Sequence, residues 1–413
     1  MSPIRITELA YDDEELARFE LPGGELRITR GIGSGLARRP GDPPGTIWAI
    51  TDRGPNLKVA VAIERYGIAT LARHAETPGA KVMPCPGVGP AIVRIHVDGD
   101  RVSGEQAIPL RDASGAALSG LPPADAGSRA AEPAIDLAGT ILPPSPGGAD
   151  TEGLAIAADG SGWAGDEYGP SLLRLDAAGV VVARWVPAGT EALFAGAPYP
   201  VQGVLPALAA RRRLNRGFEG LALSADGRRL HVAMQSPLAH PDDAAGRRAR
   251  HVRLWTLDAQ SGALLAEHLY ALDKPRSFAR DCAAGDVDRA DLKLCDVAAL
   301  PSGDLLILER ASATAKLYRV RLDPADALDP VWNDPARRPT LEEASADGTL
   351  DLPAVAKHLL FSTDDHPEIG PDLEGVALLG ERSLLLVNDN DFGVEGVATR
   401  FWRVELAEAI DRP

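Results

Sequence analysis

The chain has 413 residues, 45% of them apolar, and a formal charge of −16. A surface that acidic excludes nucleic acid and anionic membrane as expected partners, because both require a basic footprint. No apolar run approaches the ~18–20 residues of a membrane span, and the length suits one large all-β domain or two ordinary domains.

The N-terminus, MSPIRITELAYDDEELARFE, is acidic and lacks an apolar h-region. The sequence as written is therefore expected to be cytoplasmic, or periplasmic or secreted if a leader has been trimmed. Residues 33–55, GSGLARRPGDPPGTIWAITDRGP, form the first copy of a unit that recurs along the chain. A small polar or acidic residue opens it, a short strand follows, a Gly-containing turn reverses the chain, and a second apolar strand ends in a polar cluster. The turns are of the Asp-Gly or Ser-Gly kind that tolerate the positive φ of tight hairpins.

Residues 91–110, AIVRIHVDGDRVSGEQAIPL, supply strands in the long gap after that copy. The clearest copy is DTEGLAIAADGSGWAGDEYG at 150–169, which carries acids at both ends of one hairpin. GFEGLALSADGRRLHVAMQSPL at 217–238, LCDVAALPSGDLLILERASA at 294–313 and DLEGVALLGERSLLLVNDNDF at 372–392 repeat it. Strand pairs such as 171–186 and 252–270 complete four-stranded antiparallel meanders. Short surface helices are expected at 66–76 and 206–215, and loops at 111–149, 239–250 and 322–355.

A four-stranded unit repeated in this way predicts an all-β fold, a single closed β-propeller spanning residues 1–413, with repeats recognisable over about 25–405. Six blades are expected, five visible and one supplied by residues 91–110. Closure removes the exposed edges of an open array.

The units open at Ser34, Glu152, Glu219, Asp296 and Glu374. Blade-opening strands line a propeller's channel, so the four acids are expected to converge there. Carboxylates within about 4–6 Å of one another cannot all ionise unaided, and hard oxygen donors of this kind suit Ca²⁺. Asp389, in the NDND run at 388–391, is a fifth candidate ligand. The closing clusters should return to the same rim. They are Thr51–Gly54, Gly165–Tyr168, Met234–Ser236, Leu308–Arg310 and Asn388–Asp391. Arg53, Arg216 and Arg310 would then interleave with the acids and hold an anionic group. Singly, each such residue also fits a turn cap or a blade-to-blade ion pair.

Other chemistry is poorly represented. The chain contains no G-x-S-x-G elbow, no H-E-x-x-H and no Walker or Rossmann glycine pattern in a βα context. The three cysteines, Cys85, Cys282 and Cys295, are expected to be inert, with Cys282–Cys295 pairing as the alternative in an exported protein. His366 is placed where it could reach the rim. The basic run RRRLNR at 211–216 reads as a local salt-bridging face.

At these residues the sequence resembles the phytase-like family, also described as esterase-like proteins of the phytase type. The matching segments are TDRGPN (51–56), MPCPGVGPAIVRI (83–95), ADTEGLA with GDEYGPSLLRLD (149–176), NRGFEGLALSADG (215–227), LLILER (305–310) and LEGVALLGERSLLLVNDND (373–391). The resemblance implies a propeller related to calcium-dependent phytases and hydrolysis of phosphate or carboxylic esters. It implies channel acids Glu152, Glu219 and Glu374. It implies rim groups Asp52, Arg53, Glu167, Tyr168, Asn215, Arg216, Glu309, Arg310, Asp389 and Asn390.

The expected function is a Ca²⁺-dependent hydrolase of a small-molecule ester or phosphoester, working as a monomer. Glu167, Asp52, Arg53 and Arg310 are the catalytic candidates, with Glu167 as general base. Tyr168, Asn215, Arg216 and Gln235 are the substrate-binding candidates. Glu152, Glu219, Asp296, Glu374 and Asp389 are the metal candidates. The alternatives are a non-catalytic, calcium-stabilised propeller that binds a ligand or protein, and a calcium-dependent lactonase using Asn388 and Asn390.

Overall fold

The computed structural model describes residues 4–124, 132–348 and 352–411. They form an all-β architecture with few and short helices; the longest α-helix among them, Leu341–Asp347, has 7 residues. The expected helices near 66–76 and 206–215 appear as single 3₁₀ segments, Ala69–His74 and Ala207–Arg211. Two of the expected loops carry short helices of their own, Asp243–Arg248 and Leu341–Asp347. Part of the loop at 111–149 and part of that at 322–355 lie outside the described residues.

Five sheets of four or five strands follow one another along the chain. Sheet 1 is built on Gly35–Ala37, Thr46–Ile50 and Ala91–Asp98, with Arg101–Gly104 and Ile108–Pro109 both pairing with Ala91–Asp98. Residues 91–110 therefore complete this sheet and do not form a sixth one, because Ala91–Asp98 finds its partner in Thr46–Ile50. Sheet 2 runs from Thr151–Ile156 to Val201–Leu205, sheet 3 from Phe218–Leu223 to Leu264–Ala271, and sheet 4 from Lys293–Ala299 to Ala356–Ser362. Sheet 5 consists of Leu373–Leu378, Ser383–Asn388 and Phe401–Glu405, and its outer strand is Arg5–Leu9 from the N-terminus. The two ends of the chain thus share one sheet.

The opening strands of sheets 1 to 5 touch in order, and that of sheet 5 touches that of sheet 1. Apolar clusters fill the spaces between sheets. Trp163, Trp185, Phe218 and Trp255 pack within sheets 2 to 4, and Phe361, Leu384 and Trp402 join sheets 4 and 5. Leu36, Ile47, Leu385 and Phe401 join sheets 5 and 1. Burial of each such side chain contributes about 1.5–3 kcal/mol.

The acid–Gly pairs have a common local geometry. In sheets 2 to 5 the opening strand breaks register at Thr151/Leu154, Phe218/Gly220, Leu294/Val297 and Leu373/Gly375. Each break is a bulge that spans the acid, and bulges re-aim side chains. The glycine after the acid lets the next opening strand approach closely. A Cβ on Gly153 would lie 2.1 Å from the Glu219 carbonyl oxygen, and one on Gly220 would lie 2.4 Å from Val297 Cγ2. Gly153→Ala must push two opening strands apart. We expect it to destabilise the fold by about 1–3 kcal/mol, read as a lower urea midpoint; an unchanged midpoint would contradict the close approach.

Asp296 crosses between strands. Its Oδ2 accepts the backbone N–H of Leu36 at 3.1 Å and of Val376 at 2.8 Å, and its Oδ1 accepts that of Val297 at 2.8 Å. One fully buried carboxylate thereby ties together the opening strands of sheets 4, 5 and 1. Expected as a metal ligand, its carboxylate here accepts three backbone amides and acts as a clamp between strands.

Candidate metal centre

Two cavities open at opposite ends of the five opening strands. At the strand ends lies an apolar one of about 330 Å³, lined by residues such as Leu36, Ala155, Ala222, Ala298 and Ala377. At the strand starts lies a charged one of about 760 Å³. The hairpin register explains the second. Thr151 faces Asp166, Phe218 faces Met234, Leu294 faces Glu309 and Leu373 faces Asn388, so each closing cluster returns to the level of its opening acid.

Asp52, Glu152, Glu167, Glu219, Glu374 and Asp389 all line this cavity, together with Arg53, Arg310, Asn215 and Gln235. Carboxylate oxygens of Asp52, Asp150 and Glu152 lie within 4.8 Å of one another. The backbone sets this up. Asp166, fully buried and paired with Arg184 at 2.5 Å, accepts the N–H of Asp150 at 2.8 Å through its other oxygen. Thr151 Oγ1 donates to the Thr51 carbonyl at 2.6 Å, which locks the start of sheet 2 against the Asp52 turn of sheet 1.

Electrostatics follow from this crowding. Burial, and next the Asp150 carboxylate, push Asp52 well above the usual carboxylate range. Burial and Glu219 do the same to Glu152, and burial and Glu167 do so to Glu219. Asp389 is raised by burial, Asp391 and Glu374, and Glu167 is raised chiefly by burial. Burial also acts upward on Glu374, but Arg310 and Lys293 outweigh it and hold this carboxyl below its ordinary value. The cluster therefore needs protons or a cation. Its donors are hard oxygens that fit Ca²⁺. Gln235, which lines the same cavity, donates its Nε2 to Glu219 and leaves its buried Oε1 without a donor, a further unpartnered oxygen in this cavity.

The arginines are already engaged. Arg53 donates to Glu132 at 2.9 Å, Asn215 at 3.1 Å and Tyr168 at 3.2 Å, and its Nη1 lies 3.1 Å from Asp150 Oδ2. Arg310 pairs with Glu374 and, at 2.8 Å, with Asp372, and its Nε donates to Cys295 Sγ at 3.2 Å. Both guanidinium groups shape the wall by holding its acids.

Several expected site residues lie elsewhere. Tyr168 sits behind Arg53 with its ring 5.5 Å from the guanidinium carbon, its hydroxyl donating to Gly120 O at 2.9 Å. It positions Arg53 and is not part of the cavity wall. Arg216 is half-buried and outside the wall, with Nη1 unpartnered. Glu309 points away into a cluster with Tyr270 at 2.6 Å and Lys357 at 2.9 Å. Asn390 lies outside the cavity wall and accepts the N–H of Phe392; Asn388 does line the cavity, but its side-chain oxygen accepts the N–H of Arg400. His366 stacks on Phe361, 4.9 Å between centroids, away from the cavity. Cys282 and Cys295 are free thiols, one exposed and one buried. Arg213, in the RRRLNR run, pairs with Asp243 at 2.9 Å as a salt-bridging face would.

Sequence reading missed Asp150, Asp372, Lys58 and Lys81, and placed Asp391 at the rim only as part of the NDND run. Asp150 was visible two residues before Glu152, on the same side of an extended strand. Asp372 holds the same place before Glu374 in the unit at 372–392, whereas Lys58 and Lys81 sit in segments without the repeat, so no local pattern marks them.

Repeated strand meanders with acids gathered at one end define a propeller-like all-β class. The chain belongs to the phytase-like family, described as "esterase-like activity of phytase", which matches residues 29–392. It is 28% identical over 299 residues to a protein of Arthroderma benhamiae described as an uncharacterized secreted protein, covering 65% of this chain. The chain spans about half the length of that curated relative, 55%. Among solved structures it is similar to the β-propeller domain of Myceliophthora Cps50 (TM-score 0.36, 11% identity, 96% of this chain and 100% of that one). It is also similar to the calcium-binding protein regucalcin of Agrobacterium tumefaciens (TM-score 0.34, 10% identity, 94% and 98%). Among the described residues no helix is long and apolar enough to cross a membrane.

Proposed function

We propose that the five sheets are blades of one closed propeller and that its charged cavity holds Ca²⁺ and hydrolyses a phosphate or carboxylic ester. The observation that carries this reading is the contact among Asp52, Asp150 and Glu152, three carboxylates within 4.8 Å. Closure is supported by the succession of opening-strand contacts and by the shared outer strand of sheet 5.

A divalent cation there supplies Lewis-acid polarisation of an ester oxygen. The chain's own groups do the rest. Asp52, Asp150 and Glu152 would hold the ion, with Glu219 and Gln235 beside them. Glu167, nearly fully buried and anchored by the N–H of Gly217 at 3.2 Å, is the general base, since a raised carboxyl pKa brings it toward the working pH. Arg310 keeps Glu374 ionised, and Arg53 keeps the Asp52–Asp150 turn in place. The fungal relative's description as secreted supports an exported setting, where calcium is abundant.

A second reading is favoured by one observation. Arg53 and Arg310 are each paired with internal acids, which suits a calcium-stabilised binding module as well as an enzyme. The charged walls give the lactonase reading no comparable support. Turnover of a p-nitrophenyl ester and phosphoester panel, with calcium and after EDTA treatment, separates the two readings. Calcium-dependent turnover that is lost in Glu167→Gln supports the hydrolase. Bound calcium with no turnover of any panel member leaves the binding module.

A further inference from the structure

A small three-stranded sheet outside the five main ones supplies part of the cavity wall. Leu57–Lys58 pairs antiparallel with Lys81–Val82, which sets Lys58 directly opposite Lys81. Leu57 and Val82 are buried with Leu26, Ile28 and Ile135, so the register is fixed by the core. Lys58 and Lys81, the alternate residues, line the charged cavity.

Like charges directly opposite on a sheet are unfavourable, and here Lys58 is exposed and Lys81 half-buried at the cavity. The lysines that form ion pairs among the described residues are Lys293, Lys316 and Lys357. Lys58 and Lys81 form none. Glu132, Asp52, Asp150 and Asp391 act on Lys81 through longer-range attraction, but among the described residues no carboxylate makes a direct ion pair with either lysine, so both ammonium groups keep donors free. Directly opposed residues have Cβ atoms about 4.5–5.5 Å apart, which lets two ammonium groups grip one oxyanion. Lys81 lies within electrostatic reach of Asp52 and Asp150, so the pair stands at the same end of the cavity as the candidate cation ligands.

We propose that Lys58 and Lys81 form an oxyanion subsite that selects esters bearing a second negative group apart from the scissile bond. The proposal rests on the ester-hydrolase reading above for its kinetic consequence, but the subsite itself is testable without turnover. Sulfate, a tetrahedral oxyanion soluble with calcium, is titrated calorimetrically into the calcium-loaded wild type and the K58Q/K81Q variant. The expected result is saturable binding weakened about tenfold or more in the variant, in line with loss of charge-assisted hydrogen bonds. Equal affinity in both proteins, or no binding to the wild type, would overturn the subsite. The variant's melting temperature should be unchanged or slightly higher because a like-charge pair is removed; a clear fall would assign the lysines a structural role instead.

The kinetic arm compares neutral p-nitrophenyl butyrate with mono-p-nitrophenyl succinate, which carries a remote carboxylate. In the variant KM should rise about tenfold or more for the succinate and stay constant for the butyrate. An equal change for both esters would overturn the selectivity. If neither ester is turned over, the hydrolase reading fails while the sulfate titration still decides the subsite.

Discussion

Glu152→Gln is expected to abolish stoichiometric calcium binding and, with it, calcium-dependent turnover. Glu152 contributes one of three carboxylates held within 4.8 Å, and its removal leaves Asp52 and Asp150. In the wild type an ion in a hundredfold excess over its Kd adds about 2.7 kcal/mol, roughly 3 °C in Tm for a chain of this length. The variant should show no such rise. After EDTA treatment the order should reverse at neutral pH, with the variant melting at or above the wild type, because one repelling charge is gone. Elemental analysis and thermal melts with EDTA and with calcium check both halves. Retained calcium in the variant would move the ion to another set of acids.

The same crowding sets a pH dependence. Asp52, Glu152, Glu219 and Asp389 have folded-state pKa values raised mainly by burial and by each other. A raised carboxyl pKa means that the folded state holds its proton longer than the unfolded state does. The ion-free protein therefore has this contribution in full below the ordinary carboxylate value of about 4, and loses it as pH rises through the raised values. Calcium competes with those protons, so its affinity and its stabilising effect grow over the same rise. Melting curves of chelated and calcium-loaded protein should diverge as pH increases.

Asp296→Ala is expected to cost about 3–5 kcal/mol, since three buried amides, of Leu36, Val297 and Val376, lose their acceptor at roughly 1–3 kcal/mol each before relaxation. The calcium-induced rise in Tm should survive in this variant. That persistence separates a strand clamp from an ion ligand, which no loss of stability alone would do. A variant that loses the calcium increment would return Asp296 to the ion.

The repeat in the sequence carried a great deal. The five acid- or serine-opened units became the opening strands of five sheets, and the acid–Gly pairs marked the bulges of sheets 2, 3 and 5. Residues 91–110 read as a separate blade for lack of any signal about pairing, since strand-forming residues do not say which strand they join. Asp296 looked like Glu152, Glu219 and Glu374 because it holds the same place in the repeat. Its shorter side chain and the valine after it, in place of glycine, left it tied to backbone amides.

What the sequence by itself determined was the local material: all-β strands of period two, tight Gly turns, and acids at regular places. These follow from short-range sterics and burial patterns, which neighbouring residues specify. Only the tertiary structure decided which acids meet, because Asp52, Asp150 and Glu219 come from different sheets and their spacing depends on how strands far apart in sequence pack. It likewise turned Arg53 and Arg310 inward onto acids, and set two lysines of a non-repeating segment face to face across a minor sheet. Charges act through space at several ångströms, so their grouping is a property of the packed sheets and not of any stretch of chain.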